Sequence, residues 1–274
     1  MAQQEHKQPL YKWLPAQPTA GELAAAEKEA TAGDTFDRQG LKRSIWAALK
    51  AGRATLVCRI LQHVKTSIPL ARVICILPAG QREPPWSLWA RIFTWFGQAA
   101  SGDPWRVTWF AAAAPRRFPY AGQDLGPEHV NGGYTRPCST EGIFIYRAEE
   151  ATRVLVHELV HAACLDEPAG KGWTIPLREA QVEVWAELLL IAILSRGRKA
   201  DAERLWALQS QWVANTNRKA RQDHGTHDVS DYAWRYLCGR EVMYARLGVA
   251  LPAADAAVAA AMRSVRFTHP ALGE

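Results

Sequence analysis

Long apolar runs are missing from this chain. None of roughly 18 or more uninterrupted apolar residues occurs, so nothing reads as a membrane-spanning helix and no membrane partner is expected. Residues 1–18 are polar and lack the apolar centre of a secretory leader, so the protein is not expected to be secreted. Cysteine is scarce: Cys58, Cys75, Cys138, Cys164 and Cys238 are odd in number, widely scattered and include no C-x-x-C pair. That usage suits a reducing, intracellular setting such as the cytoplasm. No compact Lys/Arg run or nucleic-acid motif accompanies the net charge of +6 and the pI near 9.2. The basic balance therefore reads as a solvated surface, and nucleic acid is not an expected partner. Internal repeats and low-complexity tracts are absent too, and nothing in the pattern speaks to oligomeric state.

What is present is enough apolar matter for a full core, at 48% of 274 residues. Twelve tryptophans, spread from Trp13 to Trp234, sit mostly in apolar patterns and are explained by packing. Residues 1–33, rich in Ala, Gln, Glu, Lys and Pro, predict a flexible tail followed by a short exposed helix over 20–32. From 36 to 63, Leu41, Ile45, Trp46, Leu49, Leu56, Val57, Ile60 and Leu61 recur at helical spacing, predicting one long helix or two shorter ones. Strands are predicted over 70–77, 105–112 and 142–147, with a helix over 87–100 and a Pro- and Gly-rich stretch holding Asn131-Gly132-Gly133-Tyr134. After a connection over 166–174, Pro176 opens a helix to about 195, and further helices are expected over 200–215, 231–247 and 253–265. The fold class is α+β: a small sheet of about three or more strands, then a mostly helical C-terminal half from about 176.

One pentapeptide carries chemistry. His157-Glu158-Leu159-Val160-His161 reads H-E-x-x-H inside a helical run over 153–164. Spacing of i, i+4 puts both imidazoles on one face, one turn apart, where they can share a metal, and leaves the Glu free to act as a general base. The surrounding Val154, Leu155, Val156, Val160, Ala162 and Ala163 are apolar, and burying two His and a Glu among them is costly unless something pairs them. A catalytic zinc site needs a third donor and an open position. Glu179, Glu183 and Glu187, four apart on the helix after Pro176, offer three, and like charges at that spacing repel unless a cation relieves them.

Here the chain resembles the gluzincin type of zincin metallopeptidase, in which a Glu from a following helix completes an H-E-x-x-H site. In several such families the ligand is followed three residues on by a small residue and four on by an acid. Glu183-Val184-Trp185-Ala186-Glu187 fits that pattern, making Glu183 the expected ligand with Glu187 or Glu179 behind a His. Glu179-Ala180-Gln181-Val182-Glu183 resembles the E-A-x-x-acid variant, so Glu179 is the runner-up. A metzincin pattern fails because Cys164 and Glu167 stand where Gly and His are needed. Gly225-Thr226-His227-Asp228 with Tyr232 comes near the aspzincin stretch but has one residue too many, which leaves Asp228 a minor alternative. A looser likeness, carried by residues 130–135, 145–150 and 157–166, is to zincin-like proteins of large DNA viruses and some protists.

The resemblance implies a single zincin-like metallopeptidase domain over 34–274, with Zn2+ on His157, His161 and Glu183 and with Glu158 as general base for hydrolysis of a peptide or protein substrate. Gluzincins often draw an oxyanion donor from a distant Tyr or His. His224, His227, Tyr232 and Tyr236 cluster in the right half, and Tyr232 is the candidate taken. Residues 142–147 are read as an edge strand on which an extended peptide pairs. From other classes stand a non-catalytic zincin-fold structural or binding protein and, on basic charge alone, a nucleic-acid-associated protein. An intact Glu158 favours the enzyme.

Overall fold

Six strands form one mixed sheet in the computed structural model, which describes residues 10–33, 35–166 and 173–272. In chain order the elements are β1 (Tyr11–Ala16), α1 (Ala20–Thr31), α2 (Leu41–Lys50), β2 (Ala54–His63), β3 (Pro69–Pro78), α3 (Trp86–Phe96), β4 (Trp105–Ala112), α4 (Pro127–Val130), β5 (Gly133–Thr135), β6 (Ile143–Arg147) and α5 (Ala151–Ala162). Then follow α6 (Ile175–Ser195), α7 (Lys199–His224), a 3-10 helix (Tyr232–Tyr236), α8 (Gly239–Arg246) and α9 (Ala256–Ala261). Across the sheet the order is β1-β2-β3-β4-β6-β5. The β3-β4 and β4-β6 pairs are parallel, and the rest are antiparallel.

Helices cover both faces, which is why the central strands are apolar throughout rather than alternating. Val73, Cys75 and Leu77 of β3, with Val107 and Trp109 of β4, face α3 and α5. Ile74, Ile76, Phe110 and Ala112 face α1 and α2 on the other side. Leu155 and Leu159 of α5 are fully buried against the sheet, each worth about 1.5–3 kcal/mol. A second core lies in the helical half, and α6 links the two by packing on α5 and on α8. Among the described residues, no helix is long and apolar enough to cross a membrane.

The α+β class and the helical second half hold, with differences of detail. Residues 54–63, read as helix, form β2, because α2 stops at Ala51 and Gly52 turns the chain with φ +69°. A strand buried on both faces imitates helical spacing: Val57 and Leu61 pack on one face, Leu56 and Cys58 on the other. Part of the expected tail is edge strand β1, pinned by the Trp13 Nε1 bond to the Trp86 carbonyl at 2.7 Å. The stretch over 231–247 is not one helix but two pieces broken at Leu237-Cys238. Strand β6 lies between β4 and β5, so it is not the edge; that place belongs to β5. Residues 1–9 of the expected tail, Glu167, and Pro168, Gly170 and Gly172 of the expected connection lie outside the described residues.

Candidate metal centre

Helix α5 is buried along its whole length. It starts at Glu150, which holds φ +61°, a left-handed conformation sustained by its surroundings. The Glu150 carboxylate accepts from Arg116 Nη1 at 2.9 Å and from the backbone N–H of Phe267 at 3.1 Å and Thr268 at 2.7 Å. Burial pushes this carboxyl up, but Arg116, Arg266 and Arg153 outweigh it and hold it below its usual range. Beside the helix run Gly132 and Gly133, where side chains do not fit. A Cβ on Gly133 would stand 2.5 Å from Val154 Cγ1 and 2.9 Å from the Phe144 carbonyl oxygen, and one on Gly132 would stand 2.0 Å from Arg116 Nη2. The Asn-Gly-Gly-Tyr stretch thus lets β5 lie directly against the H-E-x-x-H helix.

At the helix's outer turn three donor atoms converge. His157 Nε2 and His161 Nε2 are 3.2 Å apart, and each is 3.6 Å from Glu179 Oε2. Carboxylates lie at the opposite ring edges: His161 Nδ1 bonds Asp166 Oδ2 at 2.9 Å, and His157 Nδ1 stands 3.1 Å from Glu183 Oε1 without hydrogen-bond geometry. Carboxylates at both Nδ1 atoms favour protons there and leave the Nε2 lone pairs facing each other. Such an arrangement is repulsive without a proton or cation between the donors. A tetrahedral ion with bonds of about 2.0–2.2 Å needs donors about 3.3–3.6 Å apart, which is the spacing found. Among the described residues, these three form the group of His, Cys, Asp or Glu side chains able to hold a metal ion.

Electrostatics agree. Burial disfavours the His161 imidazolium, but Asp166 and Glu179 override it and raise its pKa to about 10. Burial and the neighbouring His161 charge hold the His157 pKa well below its ordinary value. The site therefore draws positive charge onto the donor cluster. Burial, seconded by Glu179, pushes the Glu158 carboxyl up to about 8 against the opposing pull of His161, Arg153 and the Thr135 backbone N–H.

Two expected residues stand outside the convergent group. Glu183 is not in the donor group: it ion-pairs with Arg153, both side chains being buried, and backs His157 from the far side. One turn earlier, Glu179, the runner-up in the sequence, is the carboxylate that lies 3.6 Å from both Nε2 atoms. Glu187 lies deeper, paired with Arg240 and accepting from Tyr244 at 2.6 Å. Tyr232 does not line the cavity itself; its hydroxyl accepts from Asn131 Nδ2 at 2.9 Å and stands 3.5 Å from the Tyr236 hydroxyl. Tyr236 instead lines the cavity of about 200 Å³ over His157, Glu158 and His161. Burial and then Glu179 raise its pKa well above the ordinary value, which keeps the hydroxyl a proton donor. Asp228 is on the surface, bonded to Ser230, and takes no part.

Asp166 and Arg153 were missed as supports. Asp166 follows the motif closely enough to have been seen as a His161 partner, whereas Arg153 carries no local signal. Cys138 and Cys164, which the spacing left unconnected, form a disulfide. Comparison of the chain with protein-family models, with curated proteins and with solved structures finds no match in any of the three.

Proposed function

We propose that the protein is a zinc-dependent peptidase whose metal is held by His157, His161 and Glu179. The observation that carries the reading is the convergence of two imidazole nitrogens and a carboxylate oxygen at ligand spacing, each imidazole backed by an acid. Two imidazoles and one carboxylate suit zinc, and three protein donors leave a position open for chemistry. Bound there, zinc supplies a Lewis acid for a substrate carbonyl and acidifies a water to a pKa of about 7.

The chain's own groups supply the rest. Glu158, lining the same cavity, takes the proton from the attacking water and passes it to the leaving amine. Tyr236 donates its hydroxyl hydrogen to the oxyanion, the role expected of Tyr232. Strand β5 ends the sheet beside this cavity, so an extended peptide adds to its outer edge by main-chain hydrogen bonds. A neighbouring cavity of about 620 Å³, sharing Phe36, Glu179 and Tyr236 with the first, accommodates flanking residues of a polymeric substrate.

Metal content by plasma mass spectrometry, on protein purified without chelator or metal-affinity resin, tests this. Near one zinc per chain is expected, lost in His161→Ala; Glu158→Gln keeps the zinc and loses hydrolysis of a peptide library. Wild type that holds no zinc and takes none up when it is supplied overturns the reading.

A further inference from the structure

The five cysteines fall into two groups. Cys58, Cys75 and Cys238 are buried, and burial raises their thiol pKa values, so they are weak nucleophiles near neutral pH. Cys138 and Cys164 are bonded across a separation of 26 residues. Cys138 is exposed and Cys164 half-buried, and both line a surface hollow of about 520 Å³ with Phe96, Ala163 and Leu165. The ring this bond closes contains all of β6 and α5, and therefore His157, Glu158 and His161. At the joint the Cys138 N–H also donates to the His161 carbonyl at 2.9 Å. Cys164 stands two residues before Asp166, the carboxylate that orients His161. Both cysteines hold positive φ, +55° and +57°, which a residue with a Cβ keeps only where its surroundings enforce it.

We propose that Cys138–Cys164 is a thiol–disulfide exchange site that sets how tightly the centre holds its metal, an inference that rests on the metal-centre reading above. A thiolate of a dithiol reductant attacks the exposed Cys138 Sγ. The S–S bond breaks, and Cys164 Sγ leaves with the electron pair and takes a proton. The reductant's second thiol then displaces Cys138 as a thiol and closes the reductant's own disulfide, so two electrons pass to the protein. With the bridge open, the segment leading to Asp166 loses its covalent anchor and relaxes from the left-handed turn at Cys164. Asp166, which meets Arg178 Nη2 at 3.0 Å with the bridge closed, then orients His161 less firmly. Losing such an outer partner outright costs about 10–100-fold in metal affinity, and loosening it falls at the lower end, about tenfold.

The test is zinc affinity of the full chain, by competition with a chromophoric chelator, before and after a water-soluble phosphine reductant. Thiols are counted in parallel by alkylation under denaturing conditions and intact mass. A zinc Kd that rises about tenfold on reduction and recovers on reoxidation supports the exchange site. So does a Cys138→Ser/Cys164→Ser double variant that binds like the reduced protein under both conditions, and an Asp166→Asn variant that is already weak and insensitive to the reductant. Equal affinity before and after complete reduction, or no disulfide in the oxidised protein, overturns the exchange site while the metal centre stands. Zinc binding in neither state overturns the metal centre and the exchange site with it.

Discussion

Glu179→Ala and Glu183→Ala should fail in opposite ways. Glu183 and Arg153 are a buried ion pair, with side chains 1% and 3% exposed. Burial already pushes the Arg153 pKa down to about 10 against the support of Glu150 and Glu187. Removing Glu183 leaves that guanidinium without its nearest counter-charge, at a cost of about 3–5 kcal/mol. Unfolding entropy of about 2.1 cal/mol/K per residue amounts to about 0.6 kcal/mol/K for a chain of this length. The metal-free melting temperature of Glu183→Ala should therefore fall by about 5–9 °C, and its zinc affinity by about 10–100-fold through the loss of support to His157. Glu179, at 22% exposure, is less buried and faces the imidazoles of His157 and His161 instead of a buried guanidinium. Its removal should lower the metal-free melting temperature by less than the loss expected for Glu183→Ala, while abolishing stoichiometric zinc. Calorimetry in chelator, paired with zinc competition, reads both. A Glu183→Ala protein that melts like wild type and binds no zinc, beside a Glu179→Ala protein that still binds it, would refute the reasoning and restore Glu183 as ligand.

Other consequences are as direct. Tyr236→Phe should lower kcat by about 100-fold with little change in KM, whereas Tyr232→Phe should stay near wild type; steady-state kinetics on one peptide rank them. Gly133→Ala, whose methyl meets Val154 and the Phe144 carbonyl, should cost about 1–3 kcal/mol, read in thermal melts. Gly21→Ala, in α1 with nothing within 4 Å, should stabilise by about 0.5–1 kcal/mol and serves as the control. Glu150 has a folded pKa below its ordinary 4.5, so its contribution is present above that pH and is lost as pH falls through the folded value. Acid melts of Glu150→Gln should lack that limb and start from lower stability at pH 7.

The motif helix and the approach of its two imidazoles were legible in the sequence because they depend on local spacing. Strands β4 and β6 were legible for the same reason, being short apolar runs between turn residues. The choice among Glu179, Glu183 and Glu187 was not. All three share a helix face, and the axial position at which α6 crosses α5 decides which one meets the imidazoles. Tyr232 and Tyr236 differ likewise by one turn, and Asn131, far away in the chain, takes the first. Strand β2 escaped because a residue stripe buried on two sides has the same i, i+4 repeats as a helix. The disulfide depends on where the 136–142 turn folds back, which no spacing rule contains.

Glu150, at the mouth of the motif helix, is completed by the N–H groups of Phe267 and Thr268, the former 117 residues further on. A nascent chain that has emerged through α5, α6 and α7 already contains His157, Glu158, His161 and Glu179. Its acid at the start of the helix nevertheless still lacks the backbone donors that help hold its left-handed conformation. The start of the motif helix is thereby completed only when residues 267 and 268 fold back onto it.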